Sequence, residues 1–282
     1  MSSTKVSDFE SEVASRCPFT RTKLALQRLL GLKPRMENAG GRCPLGFDRD
    51  NFQPGSAFIN QAAHDAAVAP VMPGDPEAEA FLAEARRHIY HWPADFKGFS
   101  CKLTVADNSK VYHGTLVSRG SRDYELKVND FEPRGWLRFQ VEEFLSHREH
   151  PDVSRMASKT GVIWGDEDAV YGKRIDFVGD TMKSFYRIKD NKLTMIGRTY
   201  AQQTFVITID DHAEFFGHYA ATRYTTFYRN AKTGALEKTE AYLDDYQQFG
   251  EVLLPTRRRY TECNQHGLLV RELTFTNHQL LN

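Results

Sequence analysis

The chain has no excess charge of either sign: 37 Lys and Arg balance 37 Asp and Glu over 282 residues. A neutral chain without a long basic stripe has no field to gather a polyanion, so nucleic-acid binding is not expected. It also lacks any apolar run of about 18 residues, so no integral membrane segment is expected. The opening residues, MSSTKVSDFESEVASR, carry acids and lack the apolar stretch of a secretory signal. Cysteine is scarce: Cys17, Cys43, Cys101 and Cys263 lie far apart and form no Cys-x-x-Cys pair. A cytoplasmic location with reduced thiols is the expectation. The Gly-x-Ser-x-Gly, P-loop, His-Glu-x-x-His and dinucleotide fingerprints are missing from the sequence. Their absence argues against nucleotide-driven enzymes and the commonest hydrolases and leaves other enzymes open.

What is present speaks first of fold. Hydrophobic residues make up 40% and aromatics 12%, enough for a sizeable core. Three zones follow one another. Residues 1–52 form an N-terminal extension in which Thr20 can cap a short helix, Arg21 to Leu30, closed by Gly31. Residues 53–76, rich in Ala, Pro and Gly, read as a linker. Residues 77–282 read as one α+β domain. Asp75 and Pro76 suit the N-cap and first turn of a helix, with Phe81, Ala85, His88 and Trp92 on one face and Trp92-Pro93 as its end. A second helix is expected from Pro133 to His147, with Trp136, Leu137, Val141, Phe144 and Leu145 as its stripe.

The remainder alternates at period two. Phe99, Cys101, Leu103 and Val105 start a series of strands, and from Thr160 onward no further helix is expected. Asp190-Asn191, Lys232-Thr233-Gly234, Gln248-Phe249-Gly250 and Gln265-His266-Gly267 punctuate the runs. Short connections force antiparallel neighbours. The fold expected is a large antiparallel sheet, curled by its own twist into a half-barrel and covered by two or three helices. Such a shell commonly encloses an apolar pocket, and Trp92, Phe99, Trp136 and Trp164 are its candidate lining.

Two short segments suggest a chemistry. Arg16-Cys17-Pro18 and Arg42-Cys43-Pro44 each set a thiol between a cation and a proline. A thiolate is a good ligand for ferric haem iron, Pro removes a competing N–H, and Arg16 or Arg42 favours the thiolate and can pair a propionate. The pattern resembles the haem regulatory motif, which makes haem the candidate cofactor and Cys17 or Cys43 its candidate iron ligand. The ordinary alternative is a small buried thiol beside a loop proline.

Other polar clusters have ready structural explanations. Glu84, His88, His91 and Glu143, His147, His150 are spaced for a metal, but also for helix-end pairing. Asp166-Glu167-Asp168 reads as a hairpin tip and Asp210-Asp211-His212 as a turn. In Arg257-Arg258-Arg259, alternation turns Arg258 to the face opposite its neighbours, toward a ligand anion, unless the set guards an edge strand.

The string Tyr90-His91-Trp92-Pro93-Ala94-Asp95-Phe96-Lys97-Gly98-Phe99, with Thr208-Ile209-Asp210 and the run from Arg223 to Gly234, resembles an uncharacterised family known mostly from photosynthetic bacteria, over residues 77–281. The resemblance implies a fold similar to the lipoprotein-carrier half-barrels, which hold acyl chains in a hydrophobic cavity. The functional expectation is a soluble carrier, sensor or storage protein for a hydrophobic small molecule, with haem or another tetrapyrrole as the named guess. A haem-thiolate or cavity-type enzyme is one alternative. A structural or protein-binding module, whose N-terminal arm docks a partner through Leu26, Leu29 and Leu30, is the other, with a homo-oligomer as one outcome.

Overall fold

The computed structural model describes residues 73–150, 161–200 and 202–282. The extension with Cys17 and Cys43, and most of the linker, lie outside the described residues. Helix α1 (Pro76–Arg87) opens as its sequence predicts: the Asp75 carboxylate accepts from Glu77 N–H at 2.8 Å and Ala78 N–H at 3.2 Å, with Pro76 in the first turn. It stops earlier than expected. His88 O accepts from Tyr219 N–H and Tyr90 N–H donates to Tyr219 O, so the chain after Arg87 is drawn into a parallel bridge at Ile89. Trp92 therefore lies beyond the helix, and the buried stripe is Ala78, Leu82 and Ala85. Helix α2 (Arg134–Arg148) buries Leu137, Val141, Phe144 and Leu145, as its periodicity predicts.

Twelve strands form one antiparallel sheet: β1 (Phe99–Asp107), β2 (Lys110–Ser118), β3 (Tyr124–Val128), β4 (Val162–Asp168), β5 (Gly172–Phe177), β6 (Phe185–Lys189), β7 (Lys192–Tyr200), β8 (Gln203–Phe215), β9 (His218–Asn230), β10 (Leu236–Phe249), β11 (Val252–Asn264) and β12 (Gly267–Leu280). Their order is β3-β2-β1-β12-β11-β10-β9-β8-β7-β6-β5-β4. Strands β4 to β12 form a meander, and β1 then pairs with β12. The sheet stays open between β3 and β4, and α2 lies between those edge strands in sequence. Register shifts in β1, β4, β6, β8 and β10 mark bulges, which bend a sheet and raise its twist. One of them corrects the reading of Asp210-Asp211-His212, which is a bulge inside β8 rather than a turn.

The core falls into two clusters. Under α2, Phe99, Leu103, Val105, Leu116, Leu254, Leu273 and Phe275 pack with Val141, Phe144 and Leu145. The Phe144 and Phe275 rings meet edge-on at 5.4 Å. Under α1 the cluster is smaller: Ala78, Leu82 and Ala85 against Val162, Ile175, Tyr186, Ile188 and Leu193.

Candidate functional site

Register decides what lies between the two clusters. Directly paired residues share a sheet face, so one row runs Ile175, Tyr186, Ile196, Ile207, Thr226, Glu240, Glu262. The next runs Ile209, Tyr224, Tyr242, Tyr260, Arg271, and the next Asp244, Arg258, Leu273. The first two rows begin apolar and become charged toward β11 and β12, and the third opens on a charged pair.

Much of the charged part is closed by its own partners, although Arg148 on α2 meets the Tyr246 hydroxyl at 2.8 Å and leaves its Nε without a partner. Arg258, 3% exposed, donates from Nε to Asp244 Oδ1 at 2.8 Å and from Nη2 to Asp244 Oδ2 at 2.6 Å. Its Nη1 reaches Glu143 on α2. Burial pushes the Glu143 carboxyl up, but Arg258 and His147 outweigh it and hold the group well below the usual carboxylate range. Glu240, also buried, accepts from the hydroxyls of Tyr228, Tyr242 and Tyr260 at 2.9, 3.1 and 2.9 Å and from Lys238 Nζ at 2.7 Å. Arg258 thus faces protein carboxylates, not a ligand, and β11 is an interior strand. Core side chains and this polar layer occupy the space under α2.

Open space occurs at the rim of the sheet, a small part of it beside His88, Asn191 and Tyr219. A groove of about 800 Å³ lies among the last turn of α1, the connector to β1, the end of α2 and the hairpin tips β8–β9 and β10–β11. Ile89, Tyr90, Trp92 and Phe216 supply apolar wall; Arg86, Arg87, His91, His150, His218 and Glu251 supply polar groups. The wall is firmly set. Leu253 N–H donates to Tyr90 Oη at 2.8 Å, and Trp92 Nε1 donates to Leu253 O at 2.9 Å, so both rings clamp one peptide of β11. His91 Nδ1 lies 3.1 Å from Glu149 O, and burial lowers its pKa to about 4, leaving a neutral imidazole at pH 7. Phe216 is 55% exposed at a hairpin tip with φ 53°, a backbone region bulky side chains rarely adopt. An exposed Phe held there suits contact with something outside the chain.

The four aromatics proposed from sequence do not share one cavity. Trp92 lines the groove. Phe99 is fully buried in the α2 cluster, and Trp136 packs there against Tyr260. Trp164 packs on Phe81 of α1. The His-Glu triplets form the helix-end pairs that were the alternative to a metal site: Glu84 meets His88 at 2.8 Å, and Glu143 meets His147 at 3.1 Å as well as Arg258. Among the described residues no group of three His, Cys, Asp or Glu is placed to hold a metal ion. Asp166 pairs with Arg187, and Asp168 caps its own turn. Sequence reading missed Arg86, Phe216, His218 and Glu251, because Phe216 and Glu251 sit in hairpin turns and His218 opens β9, and no local pattern encodes their juxtaposition.

No described helix is long and apolar enough to cross a membrane. Among curated proteins none matches the chain. Among the solved structures similar to it are two at low identity. One is a LolA superfamily protein from Nitrosomonas europaea, at 10% identity and TM-score 0.35, spanning 73% of this chain and 94% of that one. The other is a putative outer membrane lipoprotein-sorting protein domain from Vibrio parahaemolyticus, at 12% identity and TM-score 0.32, with the same spans of 73% and 94%. Over residues 74–281, nearly the stretch marked out by the Trp-Pro-x-Asp-Phe-x-Gly-Phe string, the chain belongs to the family described as "Protein of unknown function (DUF3386)".

Proposed function

We propose that the protein is a carrier or sensor that binds a hydrophobic small molecule, and that the molecule sits in the rim groove. The observation that carries this reading is the groove itself: about 800 Å³ with rigid aromatic walls. Sites for small organic ligands typically measure about 300–1,000 Å³ and are mainly apolar with a few placed polar groups. The sequence reading set the guest beneath the helices; the apolar cluster packed under α2 favours the rim as its seat. Ala83 offers a clean test. It is exposed on α1 and lines the groove, so Ala83→Trp fills the space without entering the core. Wild-type protein is expected to bind decanol or a fluorescent apolar probe. Ala83→Trp should lose at least about tenfold in affinity with an unchanged melting temperature. No binding by the wild type, or equal binding by the variant, rejects the reading.

The twin Arg-Cys-Pro segments support a second proposal, thiolate ligation of haem by Cys17 or Cys43. Haem titration of wild type and the Cys17→Ala/Cys43→Ala double variant should give different absorption spectra; identical spectra remove it.

A further inference from the structure

On α1 and beneath it lie two arginines that meet no carboxylate among the described residues. Arg198 on β7 donates from Nη2 to the Tyr186 hydroxyl at 3.1 Å, while its buried Nε has no partner. Arg86 on α1 places its guanidinium carbon 5.6 Å from the centre of the Tyr186 ring and 5.8 Å from that of Phe177. Tyr186 itself is 8% exposed. Burial pushes its phenol up, yet Arg198 and Arg86 outweigh burial and its pKa falls below the usual tyrosine value. Two cations therefore act on one sheltered oxygen.

Among the described residues neither guanidinium meets a carboxylate. Three acids on neighbouring elements are committed elsewhere: Glu84 to Arg87 and His88, Asp176 to Arg174, and Asp166 to Arg187. Two like charges set against aromatic rings repel each other and are poorly solvated, an arrangement that an incoming anion relieves. Each guanidinium also offers a planar set of donors suited to carboxylate or phosphate oxygens. Arg86 links this pair to the open space, because it also lines the rim groove.

We infer that Arg86 and Arg198, joined through the Tyr186 hydroxyl, form a head-group site, and that the ligand is an anionic amphiphile. Its apolar body lies in the groove and its carboxylate or phosphate end meets the two guanidiniums. This inference rests on the groove reading and adds the charge and placement of the head.

Calorimetric titration at pH 7.5 with decanoate, decanol and inorganic phosphate separates the two claims. Wild-type protein should bind decanoate at least about tenfold more tightly than decanol, the size of a charge-assisted contact. Phosphate alone should bind more weakly than decanoate. Arg198→Gln should abolish the preference and leave decanol affinity intact, while Arg198→Lys restores part of it. The ligand-free melting temperature of Arg198→Gln should stay level or rise, since an uncompensated cation has been removed; a structural role would lower it. Equal binding of decanoate and decanol overturns the inference and leaves the groove reading standing. Phosphate binding as tight as decanoate also overturns it, because a free anion would then be the ligand. If no apolar ligand binds, the groove reading and the head-group site fall together. A lowered melting temperature in Arg198→Gln with an unchanged preference assigns Arg198 to structure and overturns the inference.

Discussion

The two helices cover different parts of one sheet and seal them differently. Under α2 the guanidinium of Arg258 is gripped by Asp244 from β10 and by Glu143 from the helix. Under α1, Arg86 and Arg198 share a phenol and find no acid among the described residues. The α2 side also has the larger apolar cluster. Buried Arg148 at the end of α2 also meets a phenol, that of Tyr246, and its Nε has no partner, so the contrast lies between Arg258 with its two carboxylates and the Arg86–Arg198 pair. A buried charge network holds a fold together only when each member is satisfied, and the difference therefore separates stability from binding.

The comparison breaks most simply at its arginines. Arg258→Leu leaves Asp244 and Glu143 buried without a cation and should cost about 3–5 kcal/mol in urea unfolding. Arg198→Leu should stay within about 1 kcal/mol of wild type. Equal losses at both positions would erase the distinction.

Acid titration sharpens the contrast by splitting it on the pH axis. His91, beside the groove, has a folded pKa lowered by burial to about 4. Between its ordinary value of ~6.5 and that folded value, the unfolded chain takes up a proton that the native chain does not. Stability linked to neutral His91 is thus complete above the upper limit and declines as pH falls toward the lower. Glu143 is also depressed, so its contribution is present above ~4.3, the unfolded value, and is lost only on further acidification. In urea midpoints measured from pH 7 downward, His91→Gln should flatten the upper part of the decline and Arg258→Leu the lower. An upper part that survives His91→Gln assigns it to another group.

The smallest effect is expected at the hairpin tip. Phe216→Asn places a residue tolerant of positive φ at that position and should raise stability by up to about 1 kcal/mol, while weakening decanol binding. A stable variant with full affinity would detach Phe216 from the groove.

Local pattern carried much of the architecture. Asp75-Pro76 announced α1, the stripe from Leu137 to Leu145 announced α2, and turn pairs such as Asp190-Asn191, both at positive φ, announced the meander. The end of α1 was illegible, because Tyr219, more than a hundred residues away, draws the chain out of the helix. The buried role of Arg258 was half-visible: alternation gives its face, but only register brings Asp244 opposite.

Composition and periodicity, then, determined an antiparallel sheet with two covering helices, since both follow from contacts between near neighbours and from which face meets water. Tertiary structure alone decided that Arg258 meets two carboxylates, while Arg86, which lines the groove, shares a phenol with Arg198. Those are sums over side chains brought together from α1, β6, β7 and separate hairpin tips, and no short stretch of the chain contains them.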